Sequence, residues 1–199
     1  MAWQHIPILA REITEMLITD PSAVYIDGTL GLGGHTKFFM SKLSAQGKVI
    51  GLDKDPNAVK MAVDNVADAR LHAFNLSYLD AKEALVQTGE EAANGILFDL
   101  GLSSYQLDDP KRGFSFLQEG PLDMRFDNTK GQTAADLINT LPADELEQIL
   151  LKYSDERNAH RIALAVYDAR VENGPLLTTT ALAKVIEKAC RREGKIHPA

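Results

Sequence analysis

Four glycines and two acidic residues form the stretch of sequence with the clearest chemical meaning. The glycines lie within the seven positions from Gly28 to Gly34, Asp27 directly precedes them, and Asp53 ends a later apolar run. Glycines in a turn after a strand let the backbone approach a nucleotide-like ligand, and a carboxylate about 20 residues further on typically binds ribose hydroxyls. The pattern predicts a site for an adenosine-containing cofactor, with a plain tight turn as the alternative.

Asp27 distinguishes between two classes of cofactor. A carboxylate beside the turn would repel the pyrophosphate of a dinucleotide but would attract the sulfonium and ammonium groups of S-adenosylmethionine. The dinucleotide fingerprint also requires a glycine three positions after Gly33, where this sequence has Thr36. We therefore predict S-adenosylmethionine as the cofactor, and we keep a dinucleotide-dependent oxidoreductase as an alternative.

A third acidic residue, Asp99, ends another apolar run. Polar residues that could reach a ligand follow it at Ser103, Ser104 and Gln106. The carboxyl ends of the first and fourth strands flank the ligand crevice of a doubly wound sheet, so we expect this segment to line the site. Ser103 or Asp108 could also cap a helix or form an Asx turn. His35, just after the glycines, could contact the cofactor or pack in the core.

Strand and helix patterns alternate over the first half of the chain. The predicted strands are residues 24–26, 48–53, 70–74 and 95–100, and the predicted helices are 5–17, 36–43, 56–66 and 78–87. Asp55 and Pro56 have the residue types of a helix N-cap and a first helical position. The alternation predicts an α/β fold with a doubly wound, Rossmann-like parallel sheet and right-handed crossovers.

The second half follows a different pattern. Residues 101–131 are rich in Gly, Pro, Asp and Ser without periodicity, which is typical of a functional or disordered loop. Helical patterns then cover residues 133–139, 143–153, 155–172 and 180–192. We predict a cofactor-binding core over residues 1–105, and a substrate-recognition loop with an inserted helical domain over residues 106–199.

Composition limits the possible partners. The formal net charge of −7 argues against indiscriminate binding of polyanions, so a nucleic acid would need a local basic patch. Residues 184–199 contain five basic and two acidic residues, which would suit phosphate contacts or a solvated helix end. No apolar run approaches the roughly 20 residues of a membrane span, and the lone Cys190 fits a reducing compartment. We expect a soluble, cytoplasmic protein.

Several long motifs, in the same order, resemble the bacterial MraW (RsmH) family. They are DGTLGLGGH at 27–35, DLGLSS at 99–104, QLDD at 106–109, RGFSF at 112–116 and GPLDMR at 120–125. The resemblance implies an enzyme that uses S-adenosylmethionine to methylate the exocyclic N4 of a cytidine in the decoding region of 16S ribosomal RNA. It also implies a partner in that RNA or the small ribosomal subunit, and neither a DNA substrate nor a metal ion.

The resemblance also implies particular site residues. The cofactor contacts fall on Gly33, Gly34, His35, Asp53, Leu76, Asp99 and Gln106. The family usually has an aromatic residue in place of Leu76, and Phe74 and Tyr78 lie close enough in sequence to substitute. The cytosine amine needs a hydrogen-bond acceptor that can take its proton, and the candidates are Asp99, Asp108 and Asp123.

Family members continue beyond Ala199 and complete the sheet with further strands. The resemblance therefore implies that this chain is an amino-terminal portion whose exposed sheet edge makes it marginally stable. Such a portion could bind cofactor and RNA without catalysis, which is a second alternative. The candidate RNA contacts are Arg112, Phe114, Phe116, Arg125, Arg157 and Arg161.

Overall fold

The protein is described by a computed structural model over residues 7–154 and 156–190. It divides into two compact units, Met1–Ser103 and Ser104–Ala199. Apolar side chains form buried clusters in each unit. Among the described residues, no helix combines the length and the apolar character needed to cross a membrane.

The first unit alternates helices and strands around a parallel sheet. Its elements are α1 (Ala10–Leu17), β1 (Val24–Asp27), α2 (Gly34–Met40), β2 (Lys48–Leu52), α3 (Pro56–Val66), β3 (Leu71–Phe74), α4 (Ala81–Thr88) and β4 (Gly95–Leu97). The strands lie in the order β3-β2-β1-β4, and each neighbouring pair is parallel. The predicted doubly wound α/β fold is confirmed, and the direction of winding reverses between β1 and β4.

The two faces of the sheet are covered by apolar side chains. Tyr25 and Val49 pack on one face with Phe39 of α2, whereas Ile26 and Ile50 pack on the other. Successive strand residues point to opposite faces, so a continuous apolar run is what a strand buried on both faces requires. Burial of each such large apolar side chain contributes about 1.5–3 kcal/mol.

Polar residues fix the ends of the helices. Asp55 accepts a hydrogen bond from the Asn57 backbone N–H, and Pro56 begins α3 as predicted. Arg70 binds Asp68 and also donates to the carbonyl oxygens of residues 40, 43 and 44, where α2 ends. The helix that follows the glycines is therefore anchored at its far end.

Several boundaries in the first unit differ from the prediction. The first helix, predicted over residues 5–17, begins at Ala10, and the second, predicted over 36–43, is Gly34–Met40. The fourth strand ends at Leu97 rather than at residue 100. Beyond it, the Asp99 N–H donates to the Thr29 hydroxyl instead of pairing with a strand. The predicted helix over residues 78–87 begins as a 3₁₀ turn, Tyr78–Asp80, which Ser77 caps before α4 starts. Residues 5 and 6 of the first predicted helix lie outside the described residues.

The second unit is helical. Its elements are α5 (Ser104–Asp108), a 3₁₀ turn (Pro110–Arg112), α6 (Ala134–Thr140), α7 (Ala143–Ser154), α8 (Ala159–Asn173) and α9 (Thr179–Ala189). The last four helices agree closely with the predicted ones. Residues 101–131, predicted as a functional or disordered loop, contain α5 and the 3₁₀ turn. Asp109 caps that turn by accepting from the Lys111 N–H, and Pro110 is its first residue.

Candidate functional site

The glycine turn, residues 28–34, connects β1 to α2. The Gly28 N–H donates to the Leu97 carbonyl at 2.9 Å, and the Leu30 N–H donates to the Leu52 carbonyl at 2.9 Å. The turn is therefore held on one side by the end of β4 and on the other by the end of β2. Gly33 has a φ of +80°, a conformation that favours glycine, and Gly34 begins α2.

Asp27 lies beneath the turn and is only 1% exposed. Its Oδ2 accepts from the Thr36 hydroxyl at 2.8 Å, and its Oδ1 accepts from the Thr29 N–H at 3.3 Å. Burial raises the pKa of Asp27, whereas these two hydrogen bonds and the nearby His35 oppose the rise. We expected this carboxylate at the mouth of the turn. The structure instead places it inside, where it binds the turn to the first helical residues of α2.

Asp53 directly follows β2, as the sequence predicted, and lies against the other side of the turn. Its Oδ2 accepts from the Gly31 N–H at 2.8 Å, and its Oδ1 accepts from the Asp55 N–H at 2.9 Å. The side chain is half-buried. In nucleotide-binding sheets, a carboxylate at the carboxyl end of the second strand holds the ribose hydroxyls. Asp53 occupies that position, and its role in binding a cofactor stays a prediction.

His35 and Asp99 meet beside the same turn. Asp99 lies two residues beyond β4, and its N–H donates to the Thr29 hydroxyl at 2.7 Å. Its carboxylate Oδ2 lies 3.5 Å from Nε2 of His35, and the side chains are 46% and 6% exposed, respectively. The structure therefore brings Asp27, Asp53, Asp99 and His35 together around the glycine turn.

Two threonines have roles that the sequence did not reveal. Thr36 is the residue that departs from the dinucleotide fingerprint, and its hydroxyl is the donor to buried Asp27. Thr29 joins two of the acidic residues, because its N–H bonds to Asp27 and its hydroxyl accepts from Asp99. The sequence signal for both roles was a hydroxyl side chain two residues after Asp27, at Thr29, and another nine residues after it, at Thr36.

Leu76 packs into the apolar cluster that contains Ile26 and Ile50. Phe74, at the end of β3, packs in the same cluster. The rings of Tyr78 and Phe98 lie 5.2 Å apart between centroids, in an edge contact. A Cβ at Gly28 would lie 2.4 Å from the Phe98 ring, so glycine makes room for that ring. Phe98, which the sequence did not single out, therefore lies directly against the turn.

Three predicted site residues belong to the second unit. Gln106 is buried in α5, and Asp108 is exposed at the end of that helix. Asp123 accepts from Nε and Nη2 of Arg125 at 2.9 and 2.7 Å. This paired hydrogen bond lowers the pKa of Asp123 and makes its carboxylate a weaker base.

The arginines of the second unit do not share one role. Arg112 is 4% exposed and donates from Nη2 to the carbonyl oxygens of Arg125 and Phe126 at 3.0 and 2.7 Å. The expectation that Arg112 contacts RNA was therefore wrong, because its guanidinium holds the backbone of a loop instead. Arg157 and Arg161 are exposed. The basic segment 184–199 lies mostly outside the described residues.

Comparison with known proteins identifies relatives of the chain over its full length. A profile described as the MraW methylase family matches residues 2–199. A protein from Elusimicrobium minutum called "Ribosomal RNA small subunit methyltransferase H" is 54% identical over 201 residues, which cover 99% of this chain and 67% of that protein. Proteins of the same name from Trichlorobacter lovleyi and Burkholderia cenocepacia are each 42% identical and are covered over 64% and 59% of their lengths, with 99% and 92% of this chain aligned. The chain thus spans about three fifths to two thirds of these relatives.

Proposed function

The chain belongs to the MraW methylase family, and from this premise we propose that it is an S-adenosylmethionine-dependent methyltransferase acting on small-subunit ribosomal RNA. The finer proposal is transfer to the exocyclic N4 of a cytidine in the decoding region of 16S RNA. The observation that carries the proposal is the position of two carboxylates, Asp53 and Asp99, beside the glycine turn, with a third, Asp27, buried beneath it.

The residues present fit S-adenosylmethionine better than a dinucleotide. Residues 24–36 contain no lysine or arginine that could neutralise a pyrophosphate. Negative charge near the turn favours a ligand with sulfonium and ammonium groups, because opposite charges attract and like charges repel across short distances. Asp53 at the end of β2 is positioned for the ribose, which both classes of cofactor share.

Bound S-adenosylmethionine would supply an electrophilic methyl group on a positively charged sulfur. Transfer to the exocyclic amine would require N4 to give up one proton, so the protein would need to hold an acceptor beside it. The lone pair of the amine is delocalised into the ring, so the amine is a weak nucleophile. The main contribution of the protein would be to hold the amine in line and exclude water.

Of the three candidates, we propose Asp99 as the acceptor of the amine proton. Its carboxylate is partly exposed beside the turn, and Thr29 fixes its backbone. Asp123 is a poorer acceptor because Arg125 lowers its pKa, and Asp108 does not belong to the unit that contains the glycine turn. Asp99 would accept the amine hydrogen directly or through one water.

We place RNA recognition on the second unit, on the loop that Arg112 holds. Phe114 and Phe126 lie on this loop with ring centroids 5.5 Å apart, and Met124 between them adopts a left-handed φ of +61°. Aromatic side chains are the usual stacking partners of unpaired RNA bases. A loop that is already held in shape would present these rings without a large ordering cost.

The first test is a calorimetric titration of the chain with S-adenosylmethionine, with NAD as the control ligand. We expect binding of S-adenosylmethionine only. Transfer of a labelled methyl group to 16S RNA or small subunits follows, with nucleoside analysis for N4-methylcytidine. Asp99→Ala should abolish transfer. Preferential binding of NAD would contradict the proposal, whereas binding of cofactor and RNA without transfer would favour a non-catalytic binding protein.

A further inference from the structure

His35 combines deep burial with a lack of hydrogen-bond partners. Only 6% of its side chain is exposed, and among the described residues neither Nδ1 nor Nε2 has a hydrogen-bond partner. Buried polar atoms are nearly always paired, because leaving one unpaired forfeits its hydration without compensation. The ring also packs on Phe39, at a centroid distance of 6.4 Å. A leucine or phenylalanine would fill such a place without the polar penalty.

Acidic groups surround this histidine. Asp99 Oδ2 lies 3.5 Å from Nε2, within ion-pair range, but the pair does not satisfy hydrogen-bond geometry. Asp27, which is buried beneath the same turn, interacts electrostatically with the imidazole. Because the Thr29 hydroxyl accepts from the Asp99 N–H, the Asp99 backbone is fixed and only its side chain needs to move. A charge-assisted bond of about 2.8 Å would need the two atoms to approach by about 0.7 Å.

We propose that His35 is a positioning residue whose Nε2–H faces Oδ2 of Asp99 across 3.5 Å in the free chain and donates to it at hydrogen-bond distance when ligands bind beside the turn. The bond fixes the carboxylate plane and leaves Oδ1 free to face the cytosine amine. This inference rests on the proposed function, because it takes Asp99 as the acceptor of the amine proton. Hydrogen bonds of catalytic groups are often long without ligand and shorten in the reactive complex. The 3.5 Å distance between Nε2 of His35 and Oδ2 of Asp99 must shorten in this way for the bond to form.

The first test is a double-mutant cycle on the single-turnover rate of methyl transfer. His35→Leu keeps an apolar filling but removes the donor, and we expect the rate to fall about 10- to 100-fold, as for loss of a hydrogen bond to a charged group. His35→Gln retains a side-chain N–H and should recover most of that loss. In an Asp99→Asn background, His35→Leu should cause little further loss, because the bond it removes no longer positions a carboxylate. Equal losses in both backgrounds, or no rescue by glutamine, would overturn the inference.

The second test needs no cofactor. Imidazole ¹⁵N shifts in the ligand-free chain report which ring nitrogen carries the proton, and we expect the Nε2–H form for His35 in the wild type and a changed signal in Asp99→Asn. His72, on β3, is the internal control and should not change. An Nδ1–H form, or a signal that ignores Asp99→Asn, would overturn the inference even if transfer occurs. Absence of transfer with the expected His35 signal would count against the proposed function only.

Discussion

Replacing Gly33 with alanine should destabilise the first unit through two separable effects. Gly33 has a φ of +80°, and a Cβ there would lie 2.5 Å from Cγ2 of Val66. Gly89 offers a matched control in the same unit, because it has a φ of +73° and nothing lies within 4 Å of its added Cβ. Both substitutions create left-handed strain, but only Gly33→Ala adds a clash.

The magnitudes follow from these two effects. A left-handed alanine costs about 1 kcal/mol, which is the full expected loss for Gly89→Ala. Crowding in a well-packed site adds about 1–3 kcal/mol, so Gly33→Ala should lower the free energy of unfolding by about 2–4 kcal/mol. The strain also falls on the first turn of α2, so Gly33→Ala should weaken binding of S-adenosylmethionine, whereas Gly89→Ala should not.

Urea unfolding followed by circular dichroism measures the free energies. Val66→Ala removes the atom responsible for the clash, so the double variant Gly33→Ala with Val66→Ala should be more stable than the sum of the single losses by about 1–3 kcal/mol. Equal losses for Gly33→Ala and Gly89→Ala, or strict additivity with Val66→Ala, would refute the reasoning.

Two further predictions concern the buried charges. Burial raises the pKa of Asp27 above its ordinary 3.8, so the stability linked to this carboxyl is fully present below its unfolded pKa and is lost as the pH rises through its folded pKa. Asp27→Asn should therefore flatten the pH dependence of the urea midpoint between acid and neutral pH, and an unchanged slope would count against this account. Arg112→Lys replaces the planar guanidinium with a shorter ammonium that does not reproduce its geometry at the two carbonyls, so the free energy of unfolding should fall by about 1–3 kcal/mol. Exposed Arg157→Lys is the control and should have little effect; equal losses in the two variants would argue against the buried role.

The sequence predicted best the features that depend on neighbouring residues. Asp55 and Pro56 mark the start of α3 because a cap acts on backbone groups two residues away. The strands β1 and β2 were recognisable because their apolar runs are typical of strands buried on both faces. The apolar run at Ile96, Phe98 and Leu100 predicted the fourth strand, but its side chains are exposed. The glycine turn was recognisable because its composition follows from local backbone requirements.

Features that depend on distant partners were not predictable in this way. Asp27 is buried because Thr36, beyond the turn, supplies a hydroxyl donor. Asp99 leaves the line of β4 because its N–H reaches Thr29, from which seventy residues separate it. The charge of Arg112 suggested an RNA contact, yet its guanidinium donates to the carbonyls of Arg125 and Phe126 on the loop that follows it. Composition does not encode such pairings.

The strand order also has a consequence for the order of folding. Val24 of β1 pairs with Lys48 of β2, whereas Tyr25 of β1 pairs with Gly95 of β4. Closing the longer intervening segment costs more chain entropy, so the contact between β1 and β2 can form before the contact between β1 and β4. The Leu52 carbonyl, which bonds one side of the glycine turn, is then in place before the Leu97 carbonyl, which bonds the other side. Ligand competence would be among the last properties the sheet gains during folding, and fraying at β4 would remove it first.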